Sequence, residues 1–178
     1  MSSDLDRVTS ATFLANLVNR SIGNIRTMRS ECQQIENALS YVRRLAQGRI
    51  DIVAAELQRR RDGGDPSDLH SLVERLPDIL TDRGGRAAGP TRAPQELSID
   101  HVADALLGNL DTILGQAAVN DLGAMPEPSL SATRDRLTDF ERNLSTKRRD
   151  VHDVLDALQA ELTRRHRTGE ASVDSLLQ

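Results

Sequence analysis

The chain has no tryptophan, two phenylalanines and one tyrosine, so aromatics make up 2% of its 178 residues. Phe13, Tyr41 and Phe140 are too few to fill a thick core, and a slender packing of two or three helices suits the composition better. A single cysteine, Cys32, excludes an internal disulfide framework. It lies in an apolar register between Met28 and Ile35, which reads as a small buried thiol. No run of about 18 apolar residues occurs. The opening residues, Met1 to Asp6, carry acids rather than the order of a signal peptide. The expectation is a cytoplasmic protein without a membrane segment. Excess positive charge is lacking too: a net charge of -4 and a pI near 5.6 argue against direct, sequence-independent binding of DNA or RNA. Catalytic signatures are also missing, with no Cys-x-x-Cys, glycine-rich phosphate loop or nucleophile elbow. The residues three before His70, His101, His152 and His166 are Ser67, Ser98, Arg149 and Thr163, so the Glu-x-x-His pairs of di-metal helical bundles are absent. The chain reads as a non-enzyme that holds no metal.

What is present is a repeated polar row. The first copy runs Glu36, Ser40, Arg43, Gln47, Asp51; the second, 105 positions later, runs Glu141, Ser145, Arg148, His152, Asp156. Steps of four, three, four and four residues keep each row on one side of an α-helix and stretch it over about 22 Å, the scale of an extended nucleotide. One residue before each polar position stands an apolar companion row: Ile35, Leu39, Val42, Ala46 and Ile50, then Phe140, Leu144, Lys147, Val151 and Leu155, with Lys147 the exception. Neighbouring faces of one helix can thus pack on a partner and present polar groups beside the seam. The duplication is wider than the rows. At the same offset Arg44 matches Arg149, Glu56-Leu57 matches Glu161-Leu162, Arg59-Arg60 matches Arg164-Arg165 and Gly64 matches Gly169. A long helix is repeated.

The remaining pattern places these helices. Residues 1–9 read as a disordered start and 10–170 as one helical domain. Its first long helix spans 22–62, with Ser21 and Gly23 weakening continuity before it. Ile25, Met28, Cys32, Ile35, Leu39 and Val42 alternate by three and four as a heptad seam; after Ala46 the apolar row resumes at Ile50, Val53 and Leu57, a one-residue slip. Arg59, Arg60 and Arg61 precede a Gly63-Gly64 stop, either as caps or as anion contacts. A short helix and a flexible linker fill 67–96, a middle helix with Leu106, Leu110 and Ile113 on one face fills 97–119, and the second long helix spans 130–168 from a Ser129 or Ser131 cap. Residues 170–178 read as a loose tail. The expected fold class is all-α: an antiparallel two-helix coiled coil built from an internal helix repeat, with one or two shorter helices between. Such a pair has an approximate two-fold relation that suits a two-fold symmetric ligand or a pair of ligands.

Arg43 and Arg148 present forks that match a guanine edge or a phosphate. Glu36, Asp51, Glu141 and Asp156 accept from guanine N1-H and N2-H₂, while Ser40, Ser145, Gln47 and His152 serve either kind of group. The pattern Glu-x3-Ser-x2-Arg-x3-Gln-x3-Asp, twice on long helices, resembles the signature of the RsiG family, cyclic-di-GMP-dependent anti-sigma factors that hold the sporulation sigma factor WhiG in filamentous actinobacteria. The resemblance implies that the ten residues grip two copies of cyclic-di-GMP. It further implies that the loaded form sequesters a WhiG-type sigma factor and that falling nucleotide releases it. The second copy departs at His152, where the family has Gln. The expected assembly is a monomer with an internal pseudo-two-fold. The rival readings are a coiled-coil scaffold without a ligand and a constitutive sigma inhibitor. The middle helix, through Leu106, Leu110 and Ile113, is either core or a sigma-docking ridge.

Overall fold

A computed structural model describes residues 3–63 and 101–168. Every regular element among them is helical: α1 (Ser3–Val8), a 3-10 turn (Leu17–Asn19), α2 (Ile22–Arg61), α3 (His101–Ile113), α4 (Gln116–Asn120), a second 3-10 turn (Leu122–Ala124) and α5 (Glu127–Thr168). The chain is all-α, and the two long helices, α2 and α5, pack against each other. The expected short helix and linker at 67–96 and the tail at 170–178 lie outside the described residues. Among those described, no helix is long and apolar enough to cross a membrane.

The chain divides into two compact units. One holds residues 3–41, 101–105 and 144–168 of the described chain; the other holds 42–63 and 106–143. In the first unit Arg148 reaches Glu36 and Arg165 reaches the carbonyl of Arg20. In the second, Arg43 reaches Glu141 and Arg60 reaches the carbonyl of Met125. Rising numbers on α2 meet falling numbers on α5 in both, so the helices run antiparallel within each unit.

Capping chemistry sets the helix ends. Ser21 breaks the chain before α2: its Oγ accepts from the Asn24 N-H at 3.1 Å and its carbonyl from Ile25 at 3.1 Å. The other end closes on Gly63, whose φ of 77° is the left-handed turn that a Cβ would strain. α5 begins at Glu127, earlier than the expected serine cap. Pro126 supplies the first carbonyl, accepting from the Leu130 N-H at 3.0 Å, and Pro128 fits in the first turn, where no intrahelical N-H is required.

Heptad residues fill the seam. Ile25, Cys32, Leu39, Val42, Ala46 and Val53 from α2 and Leu130, Leu137, Val151 and Leu158 from α5 are fully buried. The slip expected after Ala46 takes another form. Arg49 and Glu56, the strict heptad positions, are inward as well, at 13% and 1% side-chain exposure, each with ion-pair partners. Leu57 of the slipped row is buried too, at 3% exposure, so both apolar and paired polar residues are enclosed beyond Ala46. Cys32 is buried, and burial pushes its thiol up to about 11.

Two further expectations are corrected. The N-terminal stretch is not disordered from residue 3: Leu5 and Val8 share one face of α1 and are buried along with Phe13. Arg7 ties this start to the first unit, ion-paired with Glu31 and 5.6 Å from the Phe13 ring centroid. The middle helix is not continuous to 119; it stops at Ile113 and restarts at Gln116 after Gly115. Arg49 takes up the freed Leu114 carbonyl and also bonds the Asp111 carboxylate at 2.7 Å. On α3, Leu110 is core, while Leu106 and Ile113 are half-buried.

Candidate functional site

The polar rows sit one step off the apolar row on each long helix, and within each unit members of one row meet members of the other. In the first unit Glu36 is buried, at 8% exposure. Ser40, one turn on, donates to its Oε1 at 2.7 Å. From α5, Arg148 Nε donates to the same oxygen at 2.8 Å and to Ser40 Oγ at 2.9 Å, while His152 Nε2 lies 3.4 Å from that oxygen. Gln33 bonds the other oxygen at 3.3 Å. Burial alone would raise the Glu36 pKa. The hydrogen bonds from Ser40 and Arg148, with the charges of Arg148 and His152, outweigh it and hold the carboxyl below its ordinary value.

In the second unit the roles are exchanged between helices. Glu141 on α5 accepts from Arg43 Nη1 at 3.3 Å and from Gln47 Nε2 at 3.1 Å, both on α2. Arg43 Nε is buried without a hydrogen-bond partner among the described residues. At the offset of 105, Glu36 corresponds to Glu141, Arg148 to Arg43 and His152 to Gln47. Each motif's glutamate is thus held by the arginine and the fourth-position residue of the other motif. Asp51 and Ser145 are half-buried, and Asp156 is exposed at the end of its row. The polar rows are less wet than sequence suggested: Glu36 is buried outright, and Arg43 and Glu141 keep only 24% and 18% side-chain exposure.

Each half-site therefore combines a guanidinium, carboxylates and neutral donors. Arg148 spends its Nε on Glu36 and Ser40, which leaves its Nη1-Nη2 edge for a further acceptor, at 37% side-chain exposure. The orphaned Arg43 Nε is a buried donor that a bound acceptor would satisfy. Among the described residues no group of three or more His, Cys, Asp or Glu could hold a metal ion.

A second repeated constellation was visible in sequence as matching residues, but what those residues hold was not. Glu56 accepts from Arg59 at 2.7 Å and from Arg60 at 2.6 Å; Arg60 also donates to the carbonyls of Met125, Leu122 and Gly123 at 2.7, 2.8 and 3.1 Å. In the other unit Glu161 accepts from Arg164 at 2.9 Å and Arg165 at 2.7 Å, and Arg165 donates to the carbonyls of Arg20, Leu17 and Val18 at 2.6, 2.6 and 3.1 Å. The end of each long helix thus clamps the 3-10 turn that opens the other. The turns obey the same offset, Leu17 to Leu122 and Asn19 to Ala124, and so does α1, which corresponds to 108–113 of α3. Leu17 matching Leu122 was the available signal. Arg59 and Arg60 are committed to the Glu56 carboxylate, and Arg60 and Arg165 to carbonyls of another element, so the basic helix end does more than cap its own helix.

The sequence matches the RsiG-like family over residues 11–80 and 116–178. The chain belongs to that family. Membership points to an anti-sigma role with a sigma factor as partner, and with the all-helical fold it suggests a regulator rather than an enzyme. No curated protein matches the chain significantly.

Proposed function

We propose that this RsiG-like chain is a cyclic-di-GMP-gated anti-sigma factor, which in its loaded form holds a WhiG-type sporulation sigma factor out of transcription. The observation that carries the nucleotide part is the crossed pairing of Glu36 with Arg148 and His152, and of Glu141 with Arg43 and Gln47. Guanine displays acceptors at O6 and N7 and donors at N1 and N2, so a site that reads it needs a fork of donors beside carboxylates. Both half-sites have that composition. Arg43 and Arg148 would address O6 and N7 or a phosphate, Asp51 and Asp156 the N1-H and N2-H₂ donors, and Ser40, Ser145, Gln47 and His152 either kind. Glu36 and Glu141 would hold the guanidiniums in place before ligand arrives, which reduces the cost of ordering them. Each unit carries one such cluster, and two copies of the nucleotide are the expected load.

Gating requires that nucleotide bind the sigma-competent state more tightly than the other, since equal affinity shifts nothing. The rival, a coiled coil that acts without a ligand, is favoured by the same crossed pairs, because they neutralise one another unaided. Titration calorimetry separates the two. Saturable binding of cyclic-di-GMP near two molecules per chain, lost in the Arg43→Ala/Arg148→Ala double variant, is the expected result. Absence of binding, or equal binding by the double variant, leaves the scaffold.

A further inference from the structure

We infer that His152 makes one of the two half-sites proton-dependent, so that binding of cyclic-di-GMP takes up a proton and tightens as pH falls. The inference rests on the proposed nucleotide role and assigns a specificity-determining residue within it. His152 and Gln47 occupy corresponding places, and each turns a nitrogen to a glutamate: Gln47 Nε2 to Glu141 at 3.1 Å, His152 Nε2 to Glu36 at 3.4 Å. A nitrogen that faces a carboxylate carries its hydrogen, so the neutral ring keeps Nδ1 as a bare acceptor. Protonation turns Nδ1 into a charged donor. Gln47 undergoes no such change.

The charge balance of the two half-sites then diverges. Glu141, Asp51 and Arg43 leave one net negative charge in the second unit. Glu36, Asp156 and Arg148 leave the same in the first while His152 is neutral, and none once it is protonated. The charged group against His152 is Glu36 from α2, and about one turn away on its own helix stand Arg148, Arg149 and Asp156. With 43% of its side chain exposed, the ring is open to water. A dianionic nucleotide beside it favours the imidazolium form, so loading draws a proton from solution.

Calorimetric titration with cyclic-di-GMP between about pH 8 and pH 5.5, in two buffers of different ionisation enthalpy, measures both the affinity and the protons taken up. For the wild-type chain the expected outcome is an affinity about tenfold higher at the acid end, the equivalent of one pH unit of proton linkage, with net proton uptake. His152→Gln flattens the profile and abolishes the uptake, and Gln47→His steepens it beyond wild type. A flat wild-type profile, a slope of opposite sign, or a slope that survives in His152→Gln overturns the inference while leaving the nucleotide role intact. Absence of binding at every pH removes the nucleotide role and the inference with it.

Discussion

Glu56 is the most enclosed charge among the described residues, at 1% exposure, and it is held by Arg59, itself 8% exposed at the side chain, and by Arg60. The Arg59 hydrogen bond is the chief reason its carboxyl lies below the ordinary glutamate value. Removing one partner of such a pair leaves a guanidinium without its counter-charge in a dry place. Glu56→Gln is expected to lower unfolding stability by about 3 kcal/mol in denaturant titration. The pH dependence follows from depressed carboxyls. Their contribution is complete above the unfolded glutamate value, about 4.3, and is lost as pH falls toward the folded one, about 2 for Glu161, where Arg164 and then Arg165 hold the charge. The melting temperature is expected to fall below about pH 4, with a shallower slope in Glu56→Gln. The residue types of the candidate site were legible because Glu, Ser, Arg and Asp recur at one spacing. Their crossed partners were not, because a spacing along one helix does not say which residue of the other helix it meets.

Among the elements, the long helices were readable from the heptads of Ile25 to Val42 and Leu137 to Leu158, whose members are largely buried. Their limits were less so. Ser21 and Gly63 carry capping signals that can be read directly, whereas the start of α5 follows Pro126 and takes Pro128 into its first turn, a proline signal read in sequence as a helix stop. α1 was overlooked because six residues with two acids look polar, and only the burial of Leu5 and Val8 against the rest of the first unit makes them a helix. The clamps argue at this scale as well. Arg60 and Arg165 each join a glutamate on their own helix to three carbonyls at the entrance of the other. Arg60→Ala and Arg165→Ala are expected to cost similar amounts, about 2 to 3 kcal/mol each, since both lose charge-assisted hydrogen bonds to partly buried acceptors. Chemical denaturation of the two variants compares them, and a large loss in one with none in the other would show that the repeated geometry is not matched in energy.

For the molecule as a whole, the repeat unit is larger than a helix. Short helix, 3-10 turn and long helix recur at an offset of 105, and each compact unit combines the opening of one copy with the close of the other. The same exchange brings Glu36 to Arg148 and Glu141 to Arg43, so the helix repeat and the half-sites express one duplication. That much follows from sequence once the offset is extended to Leu17 and Leu122; the sigma-facing surface does not, because docking faces carry no periodic signature. The burial of Leu110 in the core leaves Leu106 and Ile113 as the half-buried apolar residues of the middle helix's expected face. Capture of a purified WhiG-type sigma factor by the immobilised full chain, with and without cyclic-di-GMP, tests the central claim most directly. Retention that rises at least tenfold with nucleotide, and fails to rise in Arg43→Ala/Arg148→Ala, is the predicted result for a gate with about 1.4 kcal/mol or more of coupling. Retention that is equal with and without nucleotide would contradict it.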